Sequence, residues 1–119
     1  MRAVLLSNRA QCNLKIGQKH PDGVQSKEAR KAFMKANMDA SFASELAPDY
    51  SKALYRKGLS LLGMPDTNAR SKEAVMALKQ ALTCADCGEA MAGEVRKMLE
   101  YAQQRRFEGV DMPENCCVQ

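Results

Sequence analysis

The sequence predicts an all-α protein, arranged as two antiparallel helix pairs followed by a last helix that caps them. Three observations carry this. Ala, Leu and Met supply the apolar mass, while the 119 residues hold three Tyr, three Phe and no Trp. β-branched and aromatic residues are the strand formers, so this balance favours helix. Small and apolar residues recur at spacings of three and four along five stretches, the period of one helical face. Between them stand turn residues, among them Pro21, Asp22 and Gly23, then Pro48 and Asp49, then Pro65 and Asp66.

The first helix is expected over residues 3–16, with Ala3, Leu6, Ala10 and Leu14 on one face and Gly17 as its stop. Ser26 is placed to cap the second helix, residues 27–46. Its stripe of Ala29, Ala32 or Phe33, Ala36, Ala40, Ala43 and Leu46 or Ala47 is mostly small, which lets neighbouring helices approach closely. Pro48 ends it. Asp49 is the expected cap of the third helix, with Leu54, Gly58, Leu61 and Leu62 facing inward. Ser71 is the expected cap of the fourth, with Ala74, Leu78, Ala81 and Leu82 inside. The fifth, residues 89–108, presents Met91, Val95, Met98, Leu99 and Ala102 on one side. Residues 109–119 read as a loose tail holding Gly109 and Pro113.

The net charge of +4 is spread among both signs. No basic stripe interleaved with base-stacking aromatics appears, so nucleic acid is not an expected partner. The opening MRAVLLSNRA has too short an apolar run for a secretory signal. With five Cys, an odd number, the simplest expectation is a reducing, cytoplasmic compartment. Cys84 and Cys87 form a single C-x-x-C at a helix end, a weak signal: the only other candidate ligands for a zinc site are Cys116, Cys117 and His20, and the strand that precedes a redox motif is not there. His20 sits in a turn and reads as a surface residue. No nucleophile–base pair, carboxylate dyad, phosphate-cradling loop or metal cluster is visible. The sequence therefore points to no enzyme and no cofactor, although the tail of a larger enzyme such as a prolyl isomerase stays open.

Two segments align with each other. LLSNRAQCNLKIG followed by ANMDASFASELAPDY matches ALYRKGLSLLGM followed by EAVMALKQALTCADC. Each has a small residue in the middle of its first helix, Ala10 or Gly58. Each has alanines seven apart in its second, Ala36 and Ala43 or Ala74 and Ala81. This pattern resembles the tetratricopeptide repeat, a helix-turn-helix unit of about 34 residues. The resemblance covers roughly residues 3–86, as repeats of about 3–49 and 50–86, and makes the fifth helix the cap of the array. The loop inside the first unit is longer than the family's by more than about a dozen residues, which costs little because closure entropy grows logarithmically. Asp86 stands where the second unit's closing proline would be.

LLSNRAQCNLKIG and PDYSKALYRKG are similar to co-chaperone members of that family, such as the small glutamine-rich co-chaperone and the tails of large immunophilins. The resemblance implies a carboxylate clamp for the acidic C-terminal tail, Glu-Glu-Val-Asp, of the seventy- and ninety-kilodalton heat-shock chaperones. Its members here would be Asn8, Lys52 and Arg56. The chemistry suits: Asn offers a neutral amide, Lys a point charge and Arg a planar fork. Residues four apart share a helix face, so Lys52 and Arg56 reach one groove, while Lys57 lies about 100° further round. Leu6 and Ser7 are expected to back Asn8. All three cations stand near the positive end of a helix, where an arriving anion would relieve their repulsion. Two more clamp members belong to an earlier repeat that these residues do not contain. The first helix is then expected to show an uncovered, sticky face, to be covered by an upstream segment or by a homodimer partner.

Two other features stand apart. Cys116-Cys117-Val118-Gln119 fits the prenylation box, with Cys116 the lipidated residue and weak membrane association the consequence. The alternative function is thus a scaffold for an unrelated partner, recruited to a membrane through Cys116. The fifth helix also has the outline of a basic amphipathic calmodulin target, but Glu94, Glu100 and Glu108 dilute its charge and capping explains the same stripe.

Overall fold

The computed structural model describes residues 2–21, 23, 26–64 and 68–111, leaving aside the side chains of 68 and 105–111. They form five helices: α1 Arg2–Gln18, α2 Lys27–Leu46, α3 Ser51–Gly63, α4 Asn68–Thr83 and α5 Glu89–Asp111. No strand occurs among the described residues. The architecture is an all-α array of helical hairpins, as composition and period predict.

The pairing follows from which residues meet. In the first pair Arg9 meets Asp39 and Gly17 meets Phe33. Later residues of α1 meet earlier residues of α2, so the pair is antiparallel. In the second, Lys57 of α3 reaches Glu73 and Gly58 lies against Leu78 of α4. Between the pairs, Ala3, Ala43 and Ala53 share one small cluster. Arg56 bonds Ser7 while Ala53 clusters with Ala3, so α1 and α3 run side by side in the same direction. α2 therefore packs on both α1 and α3, as its alanine stripe requires, and α5 packs on α4.

The main core holds Leu14, Phe33, Leu54, Leu61, Leu78 and Val95, filled in by alanines. Phe33 is its large buried wedge, with its ring against both Gly17 and Gly63. A Cβ added at Gly17 would come within 2.8 Å of the ring, and one at Gly63 would collide with it outright. Gly17 is thus not the stop that its position suggested, since α1 continues to Gln18. Its role is close approach: the ring occupies the space where any side chain would go. The fully buried serines Ser7, Ser51 and Ser60 serve the same crossings with small polar side chains. Each of their hydroxyls finds a partner, Arg56 for Ser7, the Met91 sulfur for Ser51 and the Arg56 carbonyl for Ser60.

Helix starts divide into local and non-local cases. Ser26 caps α2 as expected, its Oγ accepting from the Ala29 N–H at 3.1 Å. Gly23, at φ +91°, closes the turn before it by donating to the His20 carbonyl at 2.9 Å. Asp49 does not cap α3: Tyr50 occupies the cap position and gives no side-chain bond. Asp86, beyond α4, does so instead, its Oδ1 accepting from the Ser51 N–H at 3.1 Å. Ser71 does not cap α4 either, because the helix starts a turn earlier, at Asn68, and Ser71 is buried inside it. α5 runs through Gly109 to Asp111, three residues into the expected tail. Among the described residues no helix is long and apolar enough to cross a membrane.

Candidate functional site

The face shared by α1 and α3 brings two of the three predicted clamp residues, Asn8 and Arg56, together, with Lys52 one turn before Arg56 on α3. α3 enters it with Lys52 one residue past its start and Arg56 one turn on. α1 lies beside it with Ser7 buried and Asn8 exposed. Arg56 Nη1 donates to Ser7 Oγ at 2.7 Å and to Asn8 Oδ1 at 3.4 Å. Asn8 and Arg56 therefore converge. Lys52 is exposed on the same α3 face, and among the described residues no side-chain hydrogen bond or ion pair holds it there.

These bonds set what each group still offers. The Asn8 carbonyl oxygen accepts from Arg56, so the donors left to it are its amide N–H groups. Arg56 spends one nitrogen on α1 and keeps the rest of its fork, in a half-buried position. Among the described residues neither Lys52 nor Arg56 has a carboxylate within ion-pair range. Lys57 is elsewhere: it faces Glu73 of α4 across 3.9 Å, on the packed side of α3 where its angle on the helix predicts it.

The N-terminus of α3 is not a vacant anion site, because the chain's own Asp86 carboxylate already stands on it. The macrodipole favours that carboxylate. What remains for an incoming anion is the pair of side chains and the Asn8 amide.

Ser7 is the residue that sequence reasoning undervalued. It was expected to back Asn8, yet it makes the shortest bond to Arg56. The signal was present: Ala3, Ser7, Ala10 and Leu14 are spaced four, three and four apart, so Ser7 lies on the buried face. Leu6 is half-buried against the Ala3, Ala43 and Ala53 cluster.

A second polar constellation lies on α1 and α2. The Arg9 guanidinium grips Asp39 with both arms, Nε to Oδ2 at 2.8 Å and Nη2 to Oδ1 at 2.7 Å. The carboxylate is buried while the arginine is open to solvent. Hydrogen bonding and the charge of Asp39 push the Arg9 guanidinium further towards its charged form. Removing a proton there is out of reach, so the pair is a latch and no acid–base device.

Cys84 and Cys87 carry free thiols in the turn after α4, where the Cys87 N–H donates to the Cys84 carbonyl at 3.1 Å. Burial pushes the Cys84 thiol up, and the nearby Asp86 and Asp49 carboxylates add to it. A protonated, buried thiol is a poor nucleophile and a poor metal ligand. Among the described residues no group of three or more His, Cys, Asp or Glu is placed to hold a metal ion. Cys116 and its neighbours lie outside the described residues.

No family model, no curated protein and no solved structure matches the chain.

Proposed function

We propose that this chain is a peptide-binding module of the tetratricopeptide type, and that the α1/α3 face takes the free C-terminal carboxylate of an acidic peptide. The carrying observation is the convergence of Arg56 on Ser7 and Asn8, with Lys52 exposed one turn away. The Asn8 amide and the Arg56 guanidinium meet, and the Lys52 ammonium is exposed one turn before Arg56. A terminal aspartate presents two carboxylates, one for the fork and one for the point charge. The Glu-Glu-Val-Asp tail of the seventy- and ninety-kilodalton heat-shock chaperones has this chemistry, and a co-chaperone role in the cytoplasm follows from it. Half of the family's clamp is supplied here by nothing in the described residues, so affinity falls in the weak range.

Isothermal titration of the full chain with a Glu-Glu-Val-Asp peptide tests the proposal. The expected dissociation constant is on the order of tens of micromolar, weakened about tenfold or more by Lys52→Ala or Arg56→Ala. Amidation of the peptide's C-terminus weakens it similarly. Lys52 is exposed, so its variant folds normally and separates lost binding from lost structure. Equal binding of the acid and the amide, or no binding by the wild-type chain, overturns it.

A further inference from the structure

α2 has two stripes. Its alanine stripe is buried, but Met34, Met38, Phe42 and Leu46 recur every fourth residue on the other side and are 53, 57, 52 and 53 % exposed. Scattered exposed apolar residues are ordinary, whereas a continuous row of four large ones is the mark of an unfilled contact. The row is extended towards α1 by a cleft between Arg2, Leu6, Arg9, Phe42, Glu45 and Leu46.

Charge on this same face is sorted along the helix. Lys27, Lys31 and Lys35 occupy its first half and Glu45 its end, all within roughly 45° of the row's midline at 100° per residue; Glu28 stands at the margin of the basic half, about 60° out, and Arg2 and Arg9 of α1 border the cleft at the Glu45 end, Arg9 being neutralised by Asp39. A helix that is basic at one end, acidic at the other and apolar between is complementary to its own reverse. It is not complementary to itself in parallel, which would stack Lys31 and Lys35 on their own copies.

We propose that this face is a homodimer interface, in which α2 packs antiparallel on α2 of a second copy. The twofold axis crosses at the level of Ala40, the centre of the row. Met38 then shares a layer with Phe42 of the second copy, and Met34 with its Leu46, so every apolar residue of the row meets another. Glu45 comes level with Lys35 of the second copy and within one turn of its Lys31. Moving the axis to Met38 leaves Leu46 opposite Arg30 and spoils the match. The antiparallel helix dipoles favour the same orientation. The interface leaves Asn8, Lys52 and Arg56 free, because Lys52 and Arg56 lie on α3 and Asn8 meets Arg56 on the side of α1 turned away from the cleft, and it stands whether or not that face binds a peptide.

Sedimentation equilibrium of the full chain, from about 1 to several hundred micromolar, is the test. The expected result is reversible association from 13.1 kDa towards twice that mass. The double variant Met38→Glu with Phe42→Glu stays at the monomer mass with an unchanged helical circular dichroism spectrum, since both side chains are half in solvent already. The orientation is tested by charge exchange. Glu45→Lys alone, and Lys31→Glu with Lys35→Glu alone, each self-associate at least several-fold more weakly, and an equimolar mixture of the two regains the dimer. A wild-type chain monomeric throughout overturns the proposal and leaves the row to some other occupant. A dimer that survives Met38→Glu with Phe42→Glu overturns the face, and a mixture that fails to regain the dimer overturns the antiparallel arrangement.

Discussion

In the α1/α2 pair the close approach is Gly17 against Phe33; in the α3/α4 pair it is Gly58 against Leu78. The crossing chemistry is the same, a glycine under a large apolar side chain. The surroundings differ. α3 and α4 are covered on one side by α1 and α2 and on the other by α5. Among the described residues of that pair only Met76 is a large, exposed apolar residue. α1 and α2 are covered on one side alone, and they expose Val4, Leu5, Ile16, Met34, Met38, Phe42 and Leu46. The difference does not lie in composition, since both pairs are rich in Ala, Leu and Met. It shows that a hairpin in such an array is sealed by its neighbours, and that one covered on one side alone keeps its outer apolar residues exposed.

The largest break in this comparison comes from Phe33, which touches the ends of both α1 and α3. Phe33→Ala is expected to cost about 3–5 kcal/mol, through lost burial and the cavity left. Urea denaturation followed by circular dichroism should show one cooperative transition at lower midpoint. Two separated transitions would mean that the pairs are independent units.

Gly58→Ala attacks the sealed pair alone. Its new Cβ would lie 2.8 Å from the Leu78 side chain, which is fully buried and has nowhere to move. Overpacking costs about 1–3 kcal/mol, and better helix propensity returns up to about 1. A net loss of about 1–2 kcal/mol is expected from thermal denaturation, and a stabilised variant would show that the pair is looser than its geometry.

Asp86→Ala removes the cap that the second hairpin's end places on α3. The expected loss is about 0.5–2 kcal/mol, and Asp86→Asn should recover most of it because Asn also accepts at a helix start. Faster amide exchange at Ser51 in the alanine variant would locate the effect.

Gly93→Ala is the smallest change and has the opposite sign. Nothing lies within 4 Å of a Cβ at Gly93, in contrast to Gly58. Helix propensity alone then acts, and stability should rise by roughly 0.5–1 kcal/mol. A destabilised variant would reveal a partner for α5 at that face.

Local chemistry was legible and remote chemistry was not. Ser26 could be recognised as a cap because its acceptor and the Ala29 N–H are three residues apart. Asp86 could not, since the N–H that it satisfies is 35 residues away. Asp49 looked better placed because sequence proximity was the only available measure. Ser71 misled for a related reason: a serine ahead of an apolar run serves equally as a cap or as a small residue at a crossing, and only its burial decides. Gly17 was ambiguous in the same way, a helix stop by position and a contact point in fact.

By itself the sequence determined that the chain is helical, where α2 lies, which faces are apolar, and that Lys52 and Arg56 share one side of α3. Those properties depend on spacings of three and four residues, which the helical period fixes. The tertiary structure alone decided that Arg56 leans on Ser7 more closely than on Asn8, that α3 begins under the Asp86 carboxylate, and that the Met34 to Leu46 row stays uncovered. Each depends on which helix comes to rest beside which, and that is set by the fit of Phe33 and Leu78 over glycines far from them in the chain.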